Sequence, residues 1–192
     1  PDAAVRIAFA YPDAYEVGIS NQALQILYGL VNDRTAAAAE RVYCPWPDMA
    51  DAMRREGVPL FTLETWRPVR DVDLLGITLQ AELTYSNVLE VIDLAGIPLR
   101  AAERGAGDPI VLAGGPSASN PMPLAPFVDA FFMGEAEEGM EQIVAILEDV
   151  PARDERLARL AELPFLWLPE RGERPVERAV FADFAIDTAP RT

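Results

Sequence analysis

The feature that most constrains this chain is an alternation. Short, nearly continuous apolar runs at 5–10, 41–44, 74–80, 110–113 and 128–133 are separated by longer stretches whose apolar residues recur every three or four positions. Apolar runs without polar gaps are strands covered on both faces, the mark of a parallel sheet. Leu24, Leu27, Tyr28 and Val31 form one helix face, with Ser20 as its expected cap. Asp48 is expected to cap a helix through Arg55. Thr84 is expected to cap another, with the face Val88, Val91, Ile92 and Ala95 and its end at Gly96. Met140, Ile143, Val144 and Leu147 form a fourth face. The first turn of that helix holds Glu135, Glu137 and Glu138, where negative charge suits the helix dipole.

The pattern predicts an α/β fold over residues 1–150: a doubly wound, five-stranded parallel sheet, flavodoxin-like in its order 2-1-3-4-5, with right-handed crossovers. Residues 151–192 break the rhythm. A charged helix is expected over 153–163, with Leu157 and Leu160 facing inward. Strands over 165–168 and 176–184 would then join in a β-hairpin through Arg171-Gly172-Glu173. This is a small C-terminal appendage, and 186–192 reads as a linker toward another domain. A first residue of Pro rather than Met reads as a fragment of something longer.

Charge removes several functions. Acidic residues number 31 against 16 basic ones, a net charge of -15. Such a surface repels phosphate backbones and anionic lipid, so neither nucleic acid nor membrane is an expected partner. Every basic residue is Arg. The lack of Lys excludes a Schiff base and a phosphate-loop lysine. The lack of His excludes an imidazole base, a Ser-His-Asp triad and His-based zinc sites. The single Cys44 forms no internal disulfide and holds no iron–sulfur cluster alone. No apolar run approaches the ~20 residues of a membrane span. With no signal-peptide pattern, a cytoplasmic location is expected.

In open parallel sheets, ligands bind past the carboxyl ends of the strands. The loops there carry Asp13, Tyr15 and Gly18 after the first strand, and Thr78 and Gln80 after the third. Gly114, Gly115 and Pro116 follow the fourth, and Gly134 and Glu135 the fifth. Glycine permits close backbone approach to a flat or phosphate-bearing ligand, and it equally permits a tight strand-to-helix turn. Tyr15 is open to covering the sheet edge or touching a ligand, and Thr78 to a local backbone bond or a cofactor contact. Trp46 and Trp66 are expected to pack across Pro-rich loops, and Cys44 to be a small buried residue.

Val111-Leu112-Ala113-Gly114-Gly115-Pro116, followed by Asp129 and by Phe131-Phe132-Met133-Gly134-Glu135-Ala136-Glu137, resembles the amino-terminal cobalamin (B12)-binding-type domain of radical S-adenosylmethionine (SAM) proteins. The resemblance covers roughly the first 150 residues. The run from Tyr11 to Asn21, with Ala81-Glu82-Leu83-Thr84-Tyr85, looks like one subgroup of those proteins. It implies a Rossmann-like fold of the B12-binding type and a cofactor site at the ten loop residues named above. Such domains often carry Asp-x-His-x-x-Gly after the first strand, the His ligating cobalt. Here the frame is Asp13-Ala14-Tyr15-Glu16-Val17-Gly18, so any cobalamin would lack a protein axial His. The Ser-x-Leu of the third strand stands as Thr78-Leu79-Gln80. The three cysteines that hold a [4Fe–4S] cluster are absent, so SAM and cluster are expected only in the full-length protein. This chain alone is expected to be inactive, with its own downstream radical SAM domain as partner. The alternative is a degenerate B12-type fold that docks that domain without binding cobalamin. A freestanding nucleotide-binding or hydrolytic enzyme has no motif in its favour.

Overall fold

A computed structural model describes residues 3–180. At its centre lies a six-stranded sheet in the order β2-β1-β3-β4-β5-β6. The strands are β1 (Arg6–Tyr11), β2 (Ala38–Tyr43), β3 (Leu74–Thr78), β4 (Ile110–Gly114), β5 (Ala130–Phe132) and β6 (Leu166–Trp167). The first five pair in parallel and β6 pairs antiparallel with β5. The expected order is present, with one more strand at its far edge. The helices are α1 (Tyr15–Gly18), α2 (Gln22–Arg34), α3 (Pro47–Glu56), α4 (Tyr85–Leu94), α5 (Glu137–Asp149) and α6 (Arg153–Leu160).

Successive strand residues point to opposite faces, so the sheet builds two cores. On one face Ile7, Phe9, Leu112 and Phe132 pack against α2, α5 and α6. On the other Ala8, Leu75, Ile77, Val111 and Phe131 pack against α3 and α4. Helix starts differ from expectation in detail. Asn21, not Ser20, caps α2: its Oδ1 accepts from the Leu24 N–H at 2.9 Å. Pro47 opens α3, leaving Asp48 in its first turn. Thr84 precedes α4, but its hydroxyl donates back to the Ala81 carbonyl at 2.8 Å and caps nothing. Gly96, at φ +70°, turns the chain out beyond α4 as expected.

The segment after Pro151 is bound into the sheet. Phe165 lies on Phe132, ring centroids 4.8 Å apart, and Trp167 on Phe131 at 5.6 Å. In place of the expected hairpin, β6 pairs antiparallel with β5, where Phe131 and Phe132 receive the rings of Trp167 and Phe165. Among the described residues of the second expected strand, Ala179 forms a bridge, parallel to Gly134. Residues 181–184 of that strand and the 186–192 linker lie outside the described residues.

Two carboxylates gather the amino ends of the strands. Asp129 accepts from Arg104 at 2.8 Å, from Arg153 at 2.7 Å and from the Val111 N–H at 2.7 Å, all buried. Asp73 accepts from the Arg6 N–H at 2.8 Å and pairs with Arg156 at 2.7 Å. Arg153 and Arg156 belong to α6, so these pairs tie that helix to the sheet.

The β2 edge is closed by side chains. Asn32 exchanges two bonds of 3.0 Å with the Ala39 backbone. Glu64 accepts from the Arg41 N–H at 2.7 Å, and the Leu63 N–H donates to the Arg41 carbonyl at 2.9 Å. The same loop is held by the Thr62 and Thr65 hydroxyls, both donating to the buried Glu40 carboxylate.

Candidate functional site

On the α2/α5 face, side chains shrink toward the carboxyl ends of the strands. Leu74 gives way to Gly76 and Thr78, Leu112 to Gly114, and Phe132 to Gly134. Because side chains alternate along a strand, these small residues share a face with the large ones. They leave a cleft of about 400 Å³ that the first turns of α2 and α5 do not fill. Phe9, Leu112 and Phe132 lie on its sheet side, and Leu24, Leu27 and Met140 on its helix side. Gln22, Thr78, Gln80, Glu135 and Glu137 supply its polar groups, and none of its lining residues is basic.

Seven of the ten expected site residues line this cleft: Thr78, Gln80, Gly114, Gly115, Pro116, Gly134 and Glu135. The Gln80 amide donates to the Thr78 hydroxyl at 2.8 Å. The glycines serve different ends. Gly115 has φ +108°, and a Cβ there would stand 2.9 Å from the Leu79 carbonyl oxygen. Backbone bonds hold it so: Leu79 N–H donates to the Gly114 carbonyl at 2.6 Å and Ser117 N–H to the Leu79 carbonyl at 3.0 Å. Gly134 has φ +110° and lies against the Ala179 backbone, where a Cβ would overlap the carbonyl. Gly114 differs. A Cβ there meets only ordinary contact, 3.4 Å from the Phe132 Cβ, so its missing side chain is space.

The other three expected residues do not line the cleft. Asp13 Oδ1 accepts from the Ala14 N–H at 2.8 Å and shapes the turn after β1. Tyr15 is half-exposed and sets its ring edge-on to Tyr43, centroids 5.3 Å apart. Gly18 is buried where a Cβ would come within 2.7 Å of the Tyr11 and Tyr43 rings. The motif frame is therefore a bracket at the ends of β1 and β2. Burial pushes the Tyr43 phenol up, and its hydroxyl has no hydrogen-bond partner among the described residues.

Cys44 is buried, as expected. Burial first, then the charges of Glu90 and Asp13, push its thiol up to about 11, which removes it as a nucleophile near neutrality. Trp46 and Trp66 do not pack across loops: both rings are exposed, and Trp66 holds φ +58°. Cleft residues missed from the sequence include Phe9, Leu27 and Met140, which carry the same apolar pattern as the core. Gln22 gives no distinguishing signal beyond its place in the first turn of α2. Among the described residues, no helix is long and apolar enough to cross a membrane.

A mostly parallel open sheet with helices on both faces and a cleft past its strand ends defines a Rossmann-like fold. Residues 23–169 match the family described as radical SAM proteins, N-terminal, and the chain belongs to that family. Among solved structures it is similar to the radical S-adenosylmethionine methyltransferase TsrM from Kitasatospora setae, with tryptophan substrate and a SAM analogue bound. The identity is 16%, the TM-score 0.49, and the match covers 87% of this chain and 29% of that one. This chain thus spans less than a third of that structure. No curated protein matches.

Proposed function

We propose that this chain is the cobalamin-binding module at the amino end of a radical SAM enzyme. The observation that carries the reading is the apolar cleft at the carboxyl ends of β1, β3, β4 and β5. Its size and lining suit a flat heteroaromatic group such as the nucleotide base of cobalamin, leaving the corrin outside. Phe9, Leu27, Leu112, Phe132 and Met140 would bury that base and exclude water. Thr78 and Gln80 would offer a hydroxyl and an amide, and the backbone at Gly114, Gly115 and Pro116 would approach closely. When bound, cobalamin supplies a cobalt centre for methyl or electron transfer. No imidazole of this chain reaches it, because the chain has no His. SAM and the [4Fe–4S] cluster belong, in this reading, to the rest of the protein, and the whole works in the cytoplasm.

The test is titration of the full-length protein with cobalamin under reducing conditions, followed by gel filtration and corrin absorbance. Co-elution of corrin with the parent protein is expected. Gly114→Val should abolish it while leaving the thermal melt near that of the parent, since its Cβ meets no closer than 3.4 Å. A parent protein that retains no corrin with excess cofactor would defeat the reading. That outcome would favour the second one, a B12-type fold kept without its cofactor. The seating of Tyr15 on Tyr43, away from the cleft, already speaks for it.

A further inference from the structure

Two glycines beside the cleft have no backbone reason to be glycine. Gly76 lies inside β3 and Gly139 inside α5, and neither has a positive φ. Glycine weakens the interior of a strand or helix relative to alanine, so both positions are otherwise unfavourable. Space explains them. A Cβ on Gly139 would stand 2.5 Å from Phe132 Cζ and 2.6 Å from its Cε2. A Cβ on Gly76 would stand 3.0 Å from Phe9 Cδ1. Each ring thus occupies the room of a missing side chain, Phe132 beneath α5 and Phe9 across its pairing partner on β3. Phe9 and Phe132 are also walls of the cleft. Phe165 backs the Phe132 ring, centroids 4.8 Å apart, so a ring displaced from Gly139 has the cleft to move into.

We propose that Gly139 is a positioning residue of the cleft: by receiving the tip of the Phe132 ring under α5, it keeps a slot open for a flat heteroaromatic ring. The proposal rests on the cleft being a ligand site and deepens that reading by naming what holds it open. Gly76 does the same for Phe9 more loosely, since a contact of 3.0 Å yields to a small shift of the ring and one of 2.5 Å does not. Met140, the next residue of α5, lines the cleft itself, so Gly139 stands at its margin. Gly139→Ala therefore adds one methyl group outside the cleft and acts inside it. Alanine favours the helix, whereas the displaced ring fills the slot. Binding should fall further than stability.

Ligand-observed NMR of the full-length protein with free dimethylbenzimidazole, run beside corrin co-elution, tests this. The parent is expected to bind the free base. Gly139→Ala should bind it several-fold more weakly with an unchanged circular dichroism spectrum. Leucine lacks the ring tip that meets residue 139, so adding Phe132→Leu to Gly139→Ala should restore binding to the level of Phe132→Leu alone. Parent-level binding of the free base by Gly139→Ala would overturn the proposal. A loss that persists in the double variant would also overturn it, marking a glycine needed only for packing. A parent that binds the free base but retains no corrin would support the slot and end the cobalamin reading. Corrin retained equally by the parent and Gly139→Ala would overturn the slot and leave the cobalamin reading standing. A parent that takes neither probe would overturn both.

Discussion

At the amino ends of β3 and β5, Asp73 and Asp129 gather Arg104, Arg153 and Arg156 into buried or half-buried pairs. At the carboxyl ends of the same strands stand Thr78, Gly134 and an apolar cleft. The amino end spends desolvation to hold geometry: burial pulls Arg104 below the usual guanidinium range, and Asp129 opposes that fall. The carboxyl end gives up side-chain packing to keep space. One sheet thus divides anchoring from recognition, as open parallel sheets do when ligands enter past the strand ends. The helix that reads as an appendage supplies two of the anchoring arginines.

The largest effect should come from the anchored end. Asp129→Ala strands two buried guanidinium groups and should cost about 3–5 kcal/mol in urea unfolding. A loss no greater than that of an exposed substitution would break the contrast. The open end should split its glycines. Gly115→Val meets positive φ and the Leu79 carbonyl, and should cost about 1–3 kcal/mol. Gly114→Val should melt close to the parent; equal losses at both sites would show the cleft to be a packed turn. Cys44 should make stability depend on alkaline pH. Its thiol is raised from 9.0 to about 11, so the unfolded chain ionises first as pH rises. The contribution is fully present below 9.0 and is lost as pH climbs to about 11. Urea midpoints on either side of that window should fall for the parent, with the drop reduced in Cys44→Ala.

The five parallel strands are legible because each is buried on both faces, and their order follows from the crossovers. The strand over 165–168 is legible too, as β6, but its partner is not, because the pairing is made with Phe131 and Phe132 on a distant segment. Asp129 is visible in a motif, but its role depends on Arg104 and Arg153, which lie 25 and 24 residues away in sequence. The loops after β3, β4 and β5 converge on the cleft because their strands are adjacent there. Asp13, Tyr15 and Gly18 do not, because the rings of Tyr11 and Tyr43 claim that turn. Nothing in a motif frame reveals such competition between neighbouring aromatic rings.

Asn32, Glu64 and the Leu63 N–H occupy the outward backbone groups of Ala39 and Arg41. An unsatisfied strand border templates the addition of foreign strands, the route to runaway aggregation. With that border of β2 already bonded, a stray β-segment finds no ladder to extend. Two polar side chains and the Leu63 N–H thus close this border to added strands.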